Sequence, residues 1–366
     1  MNDYLKHVII CLGDMMKKED YFDKLKGAII SRFAGCALGA PVEMMEIGKL
    51  KNFCKKIGNS FPPKDYFLKA PNPDEPRYKY GKGSDFTKTN MSFLSTDDDI
   101  TYTILSLFIM EDFGLSFSTE DIAKYWMKYL PLECTYTAER TTLKNLLNGL
   151  NVKEAKFSDL DETEYIGAAI RIDGYGYVFP GNPKKAAELA LKDANLSHQK
   201  DGIYNAMYFA ALISMAFISE DIVESMDNAL NYVPESSNFY NQIKWALSVK
   251  EEVINYDIAN KYVTKRFVDM SWAHSINNAC LTVWGIFLGR DSIEKGITET
   301  VAMAYDNDCT SATVGSVLGA YHGIKTLNKK WYAPWNDKIL SYLTGYEYFS
   351  LQDIIDRYYK IGMKNL

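Results

Sequence analysis

The chain has 366 residues, of which 47% are hydrophobic and 24% charged, and its formal net charge is −6. This composition provides enough apolar surface for a sizeable core and argues against wholesale disorder. The acidic balance, with no run of lysine or arginine, argues against a nucleic-acid partner. No apolar run approaches 18 residues without polar breaks, so the sequence predicts no transmembrane helix and no membrane partner.

The cysteines and the first residues bear on the cellular compartment. The six cysteines are scattered and form no CxxC pair; they stand at positions 11, 36, 54, 134, 280 and 309. Free thiols in a reducing compartment are therefore favoured over a disulfide framework or a zinc site. The apolar run at residues 8–13 is too short for a signal peptide and lacks a clear small-residue cleavage site. A cytoplasmic location is the expectation.

Helical periodicity first appears over residues 22–47. The second half of this segment is rich in small residues, from Ala34 to Ala40, which allow another backbone to approach closely. Pro41 breaks the helix, and Glu43 follows it. This acid is either a solvated turn residue or a group directed into a site.

Residues 48–92 have a different character. Basic residues, aromatics and prolines are mixed here, with little helical period. The pattern predicts an ordered but irregular excursion, with a short hairpin near residues 78–86. Long loops beside sites often serve as lids or substrate walls, and the alternative is a surface insertion.

The excursion returns the chain to an acidic stretch. Asp97, Asp98 and Asp99 follow Ser95 and Thr96 and precede an apolar helical run, a pattern typical of a helix N-terminus. Three adjacent acids repel one another, and a hard divalent cation such as Mg²⁺, which takes oxygen ligands, would balance them. The alternative is an acidic, solvated helix start.

Further helices are predicted over residues 100–113, 122–129, 141–149 and 184–194. Between them lies a segment at 165–176 that has too many glycines for a plain helix and is too apolar for a surface loop. Backbone close to a ligand is one explanation. The loop after residue 194 carries His198, Gly202 and Tyr204, and a lone histidine there is either structural or functional. Apolar helices are predicted again over 203–231 and 236–256.

Polar residues mark the starts of two later helices. His274, Asn277 and Asn278 lie within about one turn of an apolar helix and need partners, so they either pin helix packing or face a wet pocket. Asp306 and Asp308 precede a helix whose glycines at 315, 319 and 323 share one face. If the acidic helix starts at 97 and 306 converge, they supply five carboxylates plus hydroxyls, enough for two hard metal ions.

Helical periods dominate the chain, and alternating strand patterns are scarce. The sequence therefore predicts one large all-α domain over residues 1–366, an orthogonal assembly of a dozen or more helices. Residues 48–92 form its irregular insertion.

These motifs resemble those of the ADP-ribosylglycohydrolases, the family that includes the dinitrogenase reductase-activating glycohydrolase. Roughly residues 25–325 carry the resemblance. Residues 35–43 (GCALGAPVE) look like the family's G-D-A-x-G-x-P-x-E, residues 96–99 (TDDD) like T-D-D-T, and residues 167–171 (GAAIR) like G-x-A-M-R. Residues 197–204 are similar to a T-H segment, 274–279 (HSINNA) to H-T-I-N-N-A, and 306–309 (DNDC) to D-x-D-T. Each motif alone is weak, but together they follow the family's order.

The resemblance implies an all-α fold with two Mg²⁺ ions, or Mn²⁺, at the base of a cleft that binds ADP-ribose. It implies hydrolysis at the anomeric carbon of the proximal ribose, which releases ADP-ribose from a modified protein or an ADP-ribosyl small molecule. Carried over by position, the metal ligands are Thr96, Asp97, Asp98, Asp306 and Asp308. The residues expected nearest the chemistry are Glu43, Asp97 and Asp306. The cleft residues are Gly167, Ala168, His198, Gly202 and Tyr204, with His274 and Asn277 as neighbours.

Three positions depart from the family pattern. Cys36 replaces an aspartate, Asp99 stands where threonine is usual, and Cys309 stands where a threonine ligand is common. A thiol is a poor Mg²⁺ ligand, although Thr310 is an alternative donor. Two other hypotheses therefore stay open: a non-catalytic binder of ADP-ribose or a nucleotide, and a structural protein that keeps only the fold. The retained aspartates disfavour the latter. The pattern specifies neither the linkage that is cut nor the oligomeric state.

Overall fold

The computed structural model describes residues 16–156 and 161–366, and most of this part of the chain is helical. Its α-helices are, in chain order, α1 (Lys18–Gly39), α2 (Ile47–Ile57), α3 (Asp98–Phe113), α4 (Thr119–Tyr129), α5 (Thr137–Leu147), α6 (Val152–Ala155), α7 (Asp173–Tyr177), α8 (Pro183–Ala194), α9 (Lys200–Ala216), α10 (Ile222–Ala229), α11 (Asn238–Ser248), α12 (Tyr256–Arg266), α13 (Ser275–Leu288), α14 (Ile293–Ala302), α15 (Asn307–His322) and α16 (Leu351–Gly362). The predicted all-α fold with more than a dozen helices is confirmed. The apolar run at 8–13 and Cys11 lie outside the described residues.

Helices α1 and α15 form the centre of the fold. They lie antiparallel, so that Gly27 meets Gly319 near one end and Gly39 meets Asp308 near the other. Gly315 faces the backbone of Ser31, and a Cβ atom at either helix's contact glycines would collide with the partner's main chain. The predicted small-residue contact is therefore present at 315 and 319, whereas the glycine at 323 lies beyond the end of the helix.

A buried arginine ties the central helix to two others. Arg32 of α1 is fully buried and pairs with Asp173 Oδ2 at 2.8 Å and with Asp99 Oδ1 at 2.9 Å. Its Nε donates to Thr103 Oγ1 at 2.9 Å. A buried charge needs such partners because desolvation is costly. Asp99, at the start of α3, is therefore neutralised by a side chain of the protein itself.

The beginning of the excursion at 48–92 is more regular than predicted. Residues 47–57 form α2, because Leu50 and Cys54 supply an apolar i, i+4 pair that is buried. The side chain of Glu46 accepts a hydrogen bond from Gly48 N at its start, and Gly58 ends it in the left-handed conformation. The predicted hairpin is present slightly earlier than expected, as β1 (Pro76–Arg77) and β2 (Gly81–Lys82).

A second hairpin covers one side of the excursion. Strands β3 (Lys338–Leu343) and β4 (Tyr346–Ser350) are antiparallel, and Ile339 forms a bridge with Leu94. The buried Tyr342 ring stacks on Tyr78 with 5.0 Å between centroids. The sequence pattern did not predict this hairpin, because its strands are short and one of them is buried over most of its length.

The described residues also bear on two predictions from the sequence, that of free thiols and that of no transmembrane helix. The five cysteines among the described residues are free and buried. No single described helix is long and apolar enough to cross a membrane, and only α1 with its following turn, taken with α2 across a 92° bend, matches in length and composition.

Candidate functional site

A cavity of about 590 Å³ opens where the two acidic helix starts meet. Asp98 lies on one side of it and Asp306 on another, and Glu43 stands at its mouth. The predicted convergence of these segments is therefore present. The remaining wall comes from the β1–β2 hairpin, residues 134–139 and residues 165–170.

The α3 side of the site is built by a helix cap. Asp97 has an extended backbone, and its carboxylate accepts a hydrogen bond from Asp99 N at 3.2 Å. The predicted helix start is thus in place, with its first turn inside the protein rather than in solvent. Thr96 and Asp97 are fully buried. Free amides at this helix end favour negative charge there.

On the α15 side of the site, two residues just before the helix have an unusual backbone conformation. Ala304 and Tyr305 have φ angles of 65° and 62°, a left-handed conformation that costs energy for residues other than glycine. Asp306 N then donates to Asn278 Oδ1 at 3.3 Å, and Met44 N donates to Tyr305 O at 3.0 Å. These contacts join the Glu43 turn to the start of α15.

The result is a close group of carboxylates. One oxygen each from Glu43, Asp306 and Asp308 lies within 4.8 Å of the others. Burial, followed by the charge of Glu43, raises the pKa of Asp308 well above its usual value of 3.8. Burial and the charge of Asp97 do the same to the pKa of Asp98. Carboxyl groups held this way gain from a nearby cation or a bound proton.

One cation in the protein already reaches this group. Arg77, the last residue of β1, donates through Nη2 to Asp97 Oδ2 at 2.6 Å and to Asp308 Oδ2 at 3.3 Å. Its Nη1 donates to Glu43 Oε2 at 3.0 Å and to Ala40 O at 2.7 Å. The excursion thus contributes a side chain to the acidic cluster as well as a wall.

The donor set fits a hard divalent cation. Within the described residues, the buried Thr96 Oγ1 and Asp306 Oδ1 atoms have no hydrogen-bond partner, which leaves them free to ligate. Oxygen donors of this kind suit Mg²⁺ or Mn²⁺. Cys36 and Cys309 are less suitable, because burial raises the pKa of each thiol well above its usual value and keeps it protonated.

The predicted cleft residues fall into two groups. Gly167 lines the cavity, and a Cβ atom there would collide with the Glu139 carboxylate. The other predicted cleft residues are not among those that line the cavity in the described structure: Ala168, His198, Gly202, Tyr204, His274 and Asn277. Their role in substrate binding stays a prediction.

Two of these residues have clear structural contacts. His274 caps α13, since its Nδ1 accepts a hydrogen bond from Ile276 N at 3.1 Å. Asn277 Nδ2 donates to Ser271 O at 2.7 Å. Of the two alternatives for this polar turn, the contacts therefore support pinning of the helix start, and it is the adjacent Asn278 that reaches Asp306.

A buried ionic network adjoins the cavity through Glu139, which lines it. Arg171 donates to Glu139 Oε1 at 2.7 Å and also pairs with Asp193 and Ser197. The Ser197 hydroxyl is hydrogen-bonded to His198 Nδ1 at 2.8 Å. Burial, followed by the charge of Arg171, lowers the pKa of His198 well below 6.5, so this histidine is neutral.

A family model described as ADP-ribosylglycohydrolase matches residues 17–360. The chain belongs to the ADP-ribosylglycohydrolase family. The predicted resemblance is thereby confirmed, and the matched region contains both acidic helix starts, the Glu43 turn and the β1–β2 hairpin.

A solved structure shares the family fold. It is described as an "ADP-ribosylglycohydrolase-related protein complex", with a TM-score of 0.61 and 16% sequence identity, and the match covers 95% of this chain and 100% of that one. At this identity the likeness concerns the fold. No curated protein sequence is similar enough to count as a match.

The sequence did not predict several residues of this candidate site. Arg77, Tyr78, Tyr136 and Glu139 line the cavity without having been predicted. The sequence held one signal for the first of them. Three adjacent acids require positive charge nearby, and Arg77 belongs to the excursion that leads directly into them.

Proposed function

We propose that the protein is a divalent-cation-dependent hydrolase that cleaves the glycosidic bond of an ADP-ribosylated side chain or a related ADP-ribosyl compound and releases ADP-ribose. One observation carries the proposal: a chain of this hydrolase family brings its two acidic helix starts together at one cavity. The proposed cation is Mg²⁺, with Mn²⁺ as a substitute. The cytoplasmic location stays a prediction.

The residues have distinct proposed roles. Thr96, Asp97, Asp98, Asp306 and Asp308 would hold the cation. A bound cation of this type supplies orientation of ribose hydroxyls and activation of water. Glu43, whose side chain is 35% exposed at the mouth, would take or give the proton at the reacting bond.

The aromatic wall supports a substrate with a planar base. Tyr136 is 54% exposed and packs edge-on against Tyr78 with 5.8 Å between ring centroids. Exposed aromatic faces beside a cavity offer stacking surface. A base stacked there would have its attached sugar and phosphates inside the same cavity as the acidic cluster.

A non-catalytic binder is the second candidate. The Arg77 contacts and the Cys309 thiol favour it, because both reduce the room and the ligands available to a second cation. Such a protein would bind ADP-ribose without turnover. The hydrolase remains the main proposal because Glu43 and the aspartates of both helix starts are in place.

Thermal unfolding and turnover test the proposal together. The protein is stripped with a chelator and melted alone, with Mg²⁺, and with Mg²⁺ plus ADP-ribose. A ligand at about 100 times its dissociation constant adds about 2.7 kcal/mol to the stability of the native state. Release of ADP-ribose from ADP-ribosylated arginine and serine peptides is then measured.

Two variants make the test specific. Asp306→Asn should abolish both the Mg²⁺ shift and turnover, whereas Asp291→Asn, an exposed acid before α14, should leave both unchanged. A Mg²⁺-dependent shift with ADP-ribose but no turnover on any linkage would favour the binder. No response to either ligand would overturn both candidates.

A further inference from the structure

We infer that Arg77 is a built-in cation that occupies the position of one of two divalent ions, so that the wild-type chain binds one divalent ion fewer than a chain without this guanidinium. The inference rests on the cation dependence in the proposed function. It concerns the number of ions held, which is measured without substrate.

The contacts of Arg77 coincide with those of a candidate metal position. Glu43, Asp306 and Asp308 form one group of converging oxygens, and Arg77 donates to two of these three carboxylates. It also donates to Asp97 at 2.6 Å. Bridging of several carboxylates by a planar fork of N–H donors is the interaction for which arginine is suited. A divalent ion would need the same oxygen lone pairs.

Packing holds the guanidinium in this position. The Arg77 side chain is only 15% exposed and lies 5.5 Å from the centroid of the buried Phe86 ring. The next residue, Tyr78, has a φ of 51° and is fixed by its stack on Tyr342. A left-handed tyrosine persists only where its surroundings impose that conformation. Arg77 is therefore directed inward by the backbone and not by its charge alone.

The hairpin that carries Arg77 packs directly against Ser95, in the segment before α3. A Cβ atom added at Gly81 would lie 2.6 Å from Ser95 Oγ, so no side chain fits between the two segments. Asp85 Oδ2, just after the hairpin, accepts hydrogen bonds from Lys82 N at 3.0 Å and from Ser95 Oγ at 3.3 Å. This close fit is typical of a fixed wall.

The candidate ligand atoms that Arg77 does not contact support the binding of one divalent ion next to it. Cys309 has its sulfur within 4.8 Å of carboxylate oxygens of Asp99 and Asp308, where a thiol contributes little to binding a hard cation. Thr96 Oγ1 and Asp306 Oδ1 are buried and have no hydrogen-bond partner among the described residues. Arg77 donates to Glu43 and Asp308 but not to these two atoms, so both stay available to a divalent ion beside it.

The number of bound ions tests the inference. Chelator-stripped protein is dialysed against Mn²⁺, and the bound metal per chain is measured for the wild type, Arg77→Ala and Arg77→Gln. Both variants should bind one more Mn²⁺ than the wild type. Arg77→Gln keeps most of the side-chain length and serves if Arg77→Ala does not fold. Lys79→Ala is the matched control, because Lys79 lies on the same hairpin and its one ion pair among the described residues is with Glu133, at 3.9 Å.

Equal Mn²⁺ binding by the wild type and both Arg77 variants would overturn the inference. So would an extra ion in Lys79→Ala, since this would indicate a general effect of removing charge. Hydrogen exchange at residues 76–82 gives a second readout. Exchange there should not change when Mn²⁺ is added to the wild type; faster exchange would mean that the metal expels the arginine. Loss of turnover alone affects the proposed function and leaves these results intact.

Discussion

The contact between the central helices predicts how a single added methyl group would affect the proposed cation site. In Gly39→Ala, the new Cβ would lie 2.5 Å from Asp308 N and 2.7 Å from Asn307 O. Ordinary contacts begin near ~3.5 Å, so the start of α15 must move by about 1 Å. Overpacking of this kind costs about 1–3 kcal/mol of unfolding free energy. The displaced segment carries Asp306 and Asp308, so cation affinity should also fall, by about tenfold or more.

Gly27 provides a control that distinguishes a loss of stability from a change in the geometry of the site. In Gly27→Ala the new Cβ would lie 2.5 Å from Gly319 O, so the overlap is similar. Gly27 precedes Gly39 by twelve residues, or about 18 Å along the helix. Urea unfolding in chelator should show similar losses for both variants, and Mn²⁺ titration should show weakened binding only for Gly39→Ala.

Two results would refute this reasoning. Equal loss of Mn²⁺ affinity in the two variants would mean that the helix pair transmits strain along its whole length. Unchanged affinity in Gly39→Ala, despite the expected loss of stability, would mean that Asp306 and Asp308 are positioned by contacts other than the α1–α15 packing.

Three further predictions concern buried charge and metal. Arg32→Met would leave Asp99 and Asp173 buried without their ion-pair partner, and it should lower the free energy of unfolding in urea by about 3–5 kcal/mol. Arg140→Met, at an exposed arginine, is the control. A loss below about 1 kcal/mol in Arg32→Met would contradict the prediction. The depressed pKa of His198 means that only the unfolded chain takes up its proton below about pH 6.5, so stability is lost as pH falls. From about pH 7.5 to about pH 5.5 the wild type should lose about 1 kcal/mol more than His198→Asn, and equal losses would contradict this. Chelation should lower the melting temperature of the wild type and leave that of Asp97→Asn unchanged; equal shifts would place the metal elsewhere.

The parts of the site that sequence reasoning could predict are those with local signals. The start of α3 follows from a Ser-Thr-Asp run before apolar periodicity, and the helix begins one residue after Asp97. The contact face of α15 follows from glycines four residues apart. Each of these two signals lies within a single segment of the chain. The resemblance to the family then indicated that the two segments contribute to the same site.

The parts that were missed depend on contacts between distant segments. Arg77 meets Asp308 across 231 positions of sequence, and nothing near either residue specifies the pairing. The alternation of β3 is hidden because five of its six residues are buried. His198 stays a predicted cleft residue, and the structure adds its link through Ser197 to Arg171, a contact that motif position does not reveal.

The stack of Tyr342 on Tyr78 has a consequence for the order in which the protein is made. All of the acidic residues of the cluster are synthesised by position 308, but the hairpin that carries Arg77 receives its supporting wall only when β3 emerges, more than thirty residues later. The wall that supports the counter-charge of the cluster is therefore the last part of this site to be synthesised.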